Sequence, residues 1–282
     1  MKQGKVIVIG GDGNIGRGVF DYLESQGHEV WKTTRRPALA KGKTVVYDGS
    51  LGCCVNLSLE DPTTVIWAIG ASGYARCRDE RESSHCANVT ILEEFLAKAS
   101  SVVNFVYLSS TAVFDSVSGK YHTDSPTAPT SEYGRQKEAA EKVIRDSGID
   151  HSVLRLGKVL DPSWPLLARW RNSVQTNKSI SAFSNLTLSP ILPLSLAKFM
   201  ESILTEEGGQ TYHCSNTRLL TYQEFAHHVV KECGGNQSLV LEAISQPEMT
   251  DGGAVAVDIV PSEAYLEYHV DPMTLPPVEW FS

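Results

Sequence analysis

Val6-Ile7-Val8-Ile9-Gly10-Gly11-Asp12-Gly13-Asn14-Ile15-Gly16 is the stretch that decides the fold: an apolar run that breaks into a glycine-rich turn. The run reads as a short buried strand, and the residues from Asn14 onward resume with helical spacing, Ile15, Val19, Tyr22 and Leu23 sharing one face. Two glycine spacings are satisfied at once, Gly11-x-Gly13-x-x-Gly16 and Gly10-x-x-Gly13-x-x-Gly16. Both ask for one glycine in the tight turn, one where the backbone meets a pyrophosphate, and one where helix and strand pack closely. The phosphates would rest on the free amides of the helix N-terminus. Gly10, Gly11, Asp12, Gly13, Asn14, Ile15 and Gly16 are therefore candidate dinucleotide-binding residues. A turn of this kind says little alone; its place after the first strand of an alternating pattern gives it weight.

Working outward, strands are expected at 5–9, 29–33, 44–47, 64–68, 104–108 and 151–156, with helices at 14–26, 88–99 and 132–146 between them. Short apolar strands alternating with helices indicate an α/β fold with a doubly wound parallel sheet, Rossmann-like, whose ligands bind beyond the carboxyl ends of the strands. After Gly157 the pattern loosens. Helices are expected at 164–171, 196–206 and 222–232 and a strand at 210–214, while 179–195 is rich in Ser and Pro. The tail, with Pro261, Pro272, Pro276 and Pro277, reads as irregular. Residues 1–160 are the expected dinucleotide-binding domain. Residues 161–282 form a smaller substrate-binding lobe, interleaved with the main sheet through the strand near 210–214.

The 282 residues are 41% hydrophobic and 21% charged, the composition of an ordinary globular protein. A net charge of -8 argues against broad nucleic-acid binding, which needs a basic face. No run is long enough to span a bilayer and none resembles a signal peptide, so the expectation is a cytoplasmic protein without a membrane partner. Cys53, Cys54, Cys77, Cys86, Cys214 and Cys233 contain no C-x-x-C pair, and the histidines no H-x-x-x-H pair. Free thiols and no metal site are expected.

The end of the second strand decides which dinucleotide fits. An NAD site places Asp or Glu there for the ribose hydroxyls. Here the stretch is Lys32-Thr33-Thr34-Arg35-Arg36, without a carboxylate. Thr34, Arg35 and Arg36 suit a 2′-phosphate, so NADP is favoured over NAD as the cofactor. Asp48 could accept from the adenine amino group. Ala68, Ile69 and Gly70, after the fourth strand, are small enough to let the cofactor ribose pass.

Tyr133 and Lys137 stand four apart on an expected helix and share a face. An ammonium beside a phenol favours the phenolate, bringing the tyrosine toward useful proton transfer, and Ser110 at the end of the fifth strand could donate to the same carbonyl oxygen. These residues fall within Val106-Tyr107-Leu108-Ser109-Ser110-Thr111-Ala112-Val113-Phe114 and Ser125-Pro126-Thr127-Ala128-Pro129-Thr130-Ser131-Glu132-Tyr133-Gly134-Arg135-Gln136-Lys137. With the glycine turn, they make the chain resemble an extended short-chain dehydrogenase/reductase of the nucleotide-sugar epimerase, dehydratase and dTDP-4-dehydrorhamnose-reductase kind.

The resemblance covers residues 5 to 160 well and the rest loosely. It implies Ser110 as the catalytic hydroxyl, Tyr133 as acid/base and Lys137 as its partner. Ser109 and Thr111 are the adjacent hydroxyls, and Ser109 is also a candidate at the cofactor. It implies that Asn88 lies near the active site, and that helices 88–99 and 132–146 pair in a homodimer. Two departures stand out. Thr111-Ala112 occupies the place of the dehydratases' Asp-Glu pair, which disfavours dehydration. Ile191-Leu192-Pro193-Leu194-Ser195-Leu196-Ala197 lacks the family's His and acids, so substrate anchoring differs.

Trp164, Arg169, Trp170, Arg171 and Lys178 could hold a nucleoside diphosphate, and Tyr74, Arg76 and Arg78 could also face the substrate; the two tryptophans fit core packing equally well. Three readings follow. The favoured one is an NADP-dependent reductase of a small or sugar-linked carbonyl. The others are a nucleotide-sugar epimerase with retained NAD and a non-enzymatic dinucleotide-binding regulatory or assembly protein.

Overall fold

Alternate residues of the first strand feed two separate cores, and the architecture follows from that. Val6 and Val8 face one side, Ile7 and Ile9 the other, and all four are buried. The computed structural model describes residues 4–49, 63–99, 101–115, 120–161, 163–206, 208–245 and 257–274; Cys53, Cys54, Pro276 and Pro277 lie outside them. Strands β1 (Lys5–Ile9), β2 (Val30–Thr34), β3 (Thr44–Val46), β4 (Thr63–Trp67), β5 (Val102–Ser110) and β6 (His151–Leu156) come first. The short strands β7 (Lys158–Val159), β8 (Ile180–Phe183), β9 (Thr187–Leu188) and β10 (Pro190–Ile191) precede β11 (Gln210–Cys214), which returns to the sheet. The sheet is parallel throughout, in the order β11-β6-β5-β4-β1-β2-β3. Its order reverses between β1 and β4, the switch point where such sheets take their ligands.

Helix α1 (Asn14–Ser25) covers one face together with α7 (Pro193–Ile203), through Val19, Phe20, Leu23, Leu196, Phe199 and Met200. His28 and Tyr22 both reach Glu201, at 2.6 and 2.7 Å, and tie the two helices. The other face is covered by α4 (Ile91–Leu96) and α5 (Glu132–Asp146) through Ile91, Leu92, Phe95, Ala140 and Ile144. Before α4 come α2 (Tyr74–Asp79), α3 (Arg81–His85) and a π-helical turn over Cys86–Thr90. The expected helix over 88–99 thus starts earlier and carries an extra residue in its turn. That insertion hides from an apolar-spacing reading because it shifts the period locally.

A second group of elements stands beyond the carboxyl ends of the strands. It contains β7 to β10, α6 (Pro165–Gln175), β12 (Leu220–Thr221), α8 (Tyr222–Glu232) and β13 (Val240–Ala243). It has its own core, including Leu167, Trp170, Ile180, Leu188, Phe225, Val229 and Val230. Three chain crossings between this lobe and the sheet are bonded side by side: Gly157 N–H to the Cys214 carbonyl at 2.8 Å, Lys158 N–H to the Ser189 carbonyl at 2.7 Å, and Asn216 N–H to Ser189 Oγ at 2.7 Å. The Ser/Pro-rich 179–195 stretch holds three of the short strands, two of them only two residues long and too brief to show alternation. Helix α7 starts at Pro193, earlier than expected, because a proline at the first helical position loses no hydrogen bond. The tail is more ordered than its prolines imply: Ile259 bridges to Tyr121, and α9 (Glu263–Leu266) buries Tyr265. Among the described residues, no helix is long and apolar enough to cross a membrane, and no cluster could hold a metal ion.

One buried ion pair fixes α5 to the sheet. Glu141 takes two bonds from Arg155 of β6, from Nε at 3.1 Å and Nη2 at 2.9 Å, and both residues are buried. Ser109 of β5 donates to the same carboxylate at 2.5 Å, and Arg145 adds a third cationic contact at 3.3 Å. Removing one partner leaves the other charged and dry, which costs about 3–5 kcal/mol, whereas replacing both by apolar residues is near neutral. Arg155→Leu is therefore expected to lower the unfolding free energy by about that amount in urea titration, and adding Glu141→Leu to restore most of it. A single variant as stable as the parent would show that the pair does not hold the helix.

Candidate cofactor and active site

The glycine turn has the shape a dinucleotide needs. Gly10 takes φ +92°, a left-handed conformation natural only to glycine, and a Cβ there would stand 2.8 Å from the Ala68 carbonyl carbon. A Cβ at Gly16 would lie 2.4 Å from the Gly10 carbonyl oxygen, so α1 approaches the turn this closely only without a side chain. No side chain caps α1. Its first-turn amides are thereby left to a ligand, and a pyrophosphate fits them. Asn14 instead reaches across to the lobe, donating to Asp161 and to Ser163 Oγ at 3.1 Å.

At the end of β2 the structure adds what the sequence order hides. Thr34 Oγ1 donates to Asp12 Oδ2 at 2.6 Å and accepts the Arg36 N–H at 3.0 Å, while Arg36 Nη2 stands 3.4 Å from the same carboxylate oxygen. Asp12 thus brings a carboxylate to the strand end that has none of its own. Arg35 is exposed beside it. Asp48 follows β3, half-buried.

Beyond β4 the chain passes through Ala68, Ile69 and Gly70. A Cβ on Gly70 would come within 3.0 Å of Asn88 Oδ1 and 3.6 Å of Lys137 Nζ, so the absent side chain leaves a space bounded by both. Asn88 sits in the π-helical turn, 1% exposed, and its amide locks onto both polar groups of Ala71, accepting from the N–H at 2.7 Å and donating to the carbonyl at 3.1 Å. Its amide also donates to Gln136 at 2.7 Å, and Gln136 in turn donates to Ser84 at 3.0 Å. Lys137 and Asn88 are the polar groups that border this gap.

Ser110, Tyr133 and Lys137 are brought together. The α5 N-terminus is set by Ser131, whose hydroxyl accepts the Gly134 N–H at 3.1 Å, and this starts the helix so that Tyr133 and Lys137 face the strand ends. Ser110 stands near enough to Tyr133 to pull its phenol down, and the Ser110 oxygen accepts the Ala112 N–H at 3.2 Å. Tyr74 closes the other side, its ring edge-on to Tyr133 at 5.7 Å between centroids. Burial pushes the Tyr133 phenol up to about 12, against the lowering pull of Ser110.

The expected lowering of the tyrosine by Lys137 is overturned. Lys137 Nζ donates to the Leu108 carbonyl at 2.8 Å and to Tyr107 OH at 3.2 Å, 6.0 Å from the Tyr133 ring centre, and desolvation of the phenol dominates. Burial lowers the lysine itself to about 8, opposed by the charge of Glu141. Ser109 faces the Glu141 side, its hydroxyl proton committed there rather than to the cofactor space. Thr111 is buried in the turn after β5.

The lobe presents Trp164, stacked on Phe225 at 6.1 Å, with the Lys158 ammonium 4.4 Å from its ring centre. Trp170 belongs to the core. Arg76 and Arg78 pair with Glu80 and Asp79 on the surface, and Arg169 is exposed.

A family described as the RmlD substrate binding domain matches residues 4–253. The chain belongs to this family. Spore coat polysaccharide biosynthesis protein SpsK of Bacillus subtilis (strain 168) is 23% identical over 238 residues, 82% of this chain and 80% of that protein. The dTDP-6-deoxy-L-talose 4-dehydrogenase (NAD(P)(+)) of Kitasatospora kifunensis is 32% identical over 205 residues, 67% of this chain and 64% of that protein. Among solved structures, MoeE5 in complex with UDP-glucose and NAD superposes with a TM-score of 0.82 at 17% identity, covering 98% of both chains. The dTDP-4-dehydrorhamnose reductase of Bacillus anthracis str. Ames in complex with NADP gives 0.76 at 17% identity, over 92% of this chain and 89% of that one. At such identities these structures show a shared fold, the Rossmann-like doubly wound parallel sheet.

Within this RmlD-family site, sequence order concealed the Asp12–Thr34–Arg36 contacts and the Ser84–Gln136–Asn88 chain, which join residues far apart along the polypeptide. The depressed lysine yields a test that needs no substrate. Between pH 8 and 10.5 the unfolded chain holds the Lys137 proton while the folded one has released it, so stability rises with pH across that window. Lys137→Met is expected to remove this rise. Urea titrations of parent and variant at pH 7.5 and 10 measure it, and an unchanged difference between the two proteins at both pH values rejects the assignment.

Proposed function

We propose that the protein is a reductase that uses a nicotinamide dinucleotide, NADP(H) by preference, to reduce a carbonyl on a nucleotide-linked sugar. The observation that carries this reading is the placement of Ser110 and Tyr133 next to the gap at Gly70 that Asn88 and Lys137 border. Tyr133 carries its phenolic proton at neutral pH and so has one to give to a carbonyl oxygen as hydride arrives. The names of the relatives, sugar dehydrogenases and reductases, support the substrate class.

A bound nicotinamide dinucleotide supplies the hydride. Tyr133 gives its phenolic proton to the carbonyl oxygen, and Ser110 donates to that oxygen and holds it in place. Lys137 offsets the negative charge left on the tyrosine and hydrogen-bonds the ribose. Gly10 to Gly16 would hold the pyrophosphate, and Arg35 and Arg36 would hold a 2′-phosphate. Tyr74, Trp164 and Lys158 line the side from which the substrate enters, offering stacking surfaces and a cation for a diphosphate. Thr111-Ala112 supply no acid pair for dehydration. Two copies pair through α4 and α5 in this reading, and a monomer in sedimentation at micromolar concentration rejects that part of it.

Tyr133→Phe keeps the ring and removes the donor. NADPH oxidation with a panel of dTDP- and UDP-linked keto sugars is expected to fall by about 10² to 10⁴-fold, with NADPH affinity unchanged by fluorescence titration. An undiminished rate on a substrate that the parent turns over would overturn the assignment of the acid.

A further inference from the structure

Three groups meet at the end of β2: the Asp12 carboxylate from the glycine turn, the Thr34 hydroxyl, and the Arg36 guanidinium. Thr34 Oγ1 spends its proton on Asp12 and its acceptor capacity on the Arg36 N–H, so the threonine pins the carboxylate and the arginine backbone together. Asp12 Oδ2 is the atom engaged; Oδ1 has no partner among the described residues. The Asp12 side chain is about one-third exposed, at 34%, and Arg36 is at 67%, so both are open to a ligand.

This corner is where sheets of this class bind the adenosine ribose, and where NAD sites carry an acid from the end of the second strand. That acid is missing from Lys32-Thr33-Thr34-Arg35-Arg36. The turn supplies one from the other side, 22 residues earlier in the chain.

We propose that Asp12 is a cofactor-specificity residue: it accepts from the ribose hydroxyls of NAD(H), and by pairing with Arg36 it holds back the preference for a 2′-phosphate. The assignment rests on the dinucleotide site proposed above. A carboxylate next to a 2′-phosphate repels it, and the more of the Arg36 guanidinium that turns to the phosphate, the less Asp12 keeps in exchange. Arg35, which has no ion-pair partner among the described residues, meets it without that exchange. The protein therefore binds both dinucleotides, with NADPH ahead of NADH by less than about tenfold.

The test is direct titration of NADPH and NADH by fluorescence on the purified parent, Asp12→Asn, Asp12→Glu and Arg36→Met, with a thermal melt of each as the folding control. Charge-assisted hydrogen bonds of this kind correspond to about ten- to hundredfold in affinity. Asp12→Asn is expected to weaken NADH about tenfold and to tighten NADPH. Arg36→Met is expected to do the reverse, weakening NADPH while NADH is unchanged or tighter. Asp12→Glu keeps the charge and is expected to retain part of the NADH binding. If folded Asp12→Asn shifts both dinucleotides equally, or neither, Asp12 only braces the turn and the proposal falls. A parent that binds neither dinucleotide overturns the underlying site, an outcome distinct from an unchanged ratio.

Discussion

The Glu141–Arg155 pair is the contact on which the active-site geometry depends. It joins α5 to β6 in a dry interior, and Ser109 of β5 closes the same carboxylate from a third side. Glu141 lies one helical turn beyond Lys137, which lies one turn beyond Tyr133, so pinning Glu141 fixes the height and rotation of both. Without it the part of α5 beyond Lys137 would be held to the sheet mainly by apolar contacts such as those of Ala140 and Ile144, which are non-directional and tolerate sliding. The network also has an electrical role: the Glu141 charge favours the buried Lys137 ammonium, against the burial that disfavours it.

Much of the fold was legible in the sequence because it rests on local signals. The Lys5–Ile9 strand, the helix from Asn14, the Glu132–Asp146 helix and the His151–Leu156 strand stand where apolar spacing and the glycine turn put them. Elements that failed to show were short or irregular. Two-residue strands have no period, and the π-helical turn around Asn88 breaks the spacing that would reveal it. Ser110, Tyr133 and Lys137 could be named because strand end and helix start carry them in recognisable strings. That the three meet follows only from the pairing of β5 with β6 and the packing of α5 across them.

Electrostatics was the least legible layer. Tyr133 and Lys137 at helical spacing invite the idea of a cation acting on a phenol, yet each is governed more by the water it has lost than by the other. Burial keeps the phenol protonated and makes the ammonium easier to discharge, so both groups drift toward neutrality. At the cofactor corner the same limitation took another form. A strand end without an acid looked purely cationic, but charge is a property of space rather than of order along the chain, and Asp12 arrives there from the preceding turn.

The stitched crossings at Gly157, Ser189 and Cys214–Asn216 have a mechanical consequence. Lengths of chain that pass between sheet and lobe are sewn to one another at a single place, and a Cβ on Gly157 would already press the Ser189 carbonyl oxygen at 2.5 Å. Such a seam couples these lengths of chain, so that they would move together rather than as independent tethers. Were the lobe to turn against the sheet, the backbone beside the seam would move least and the parts of the lobe farthest from it most. Trp164 and Tyr222, grouped on the lobe's own core, would ride together through such a swing, carrying their stacking surface as one piece.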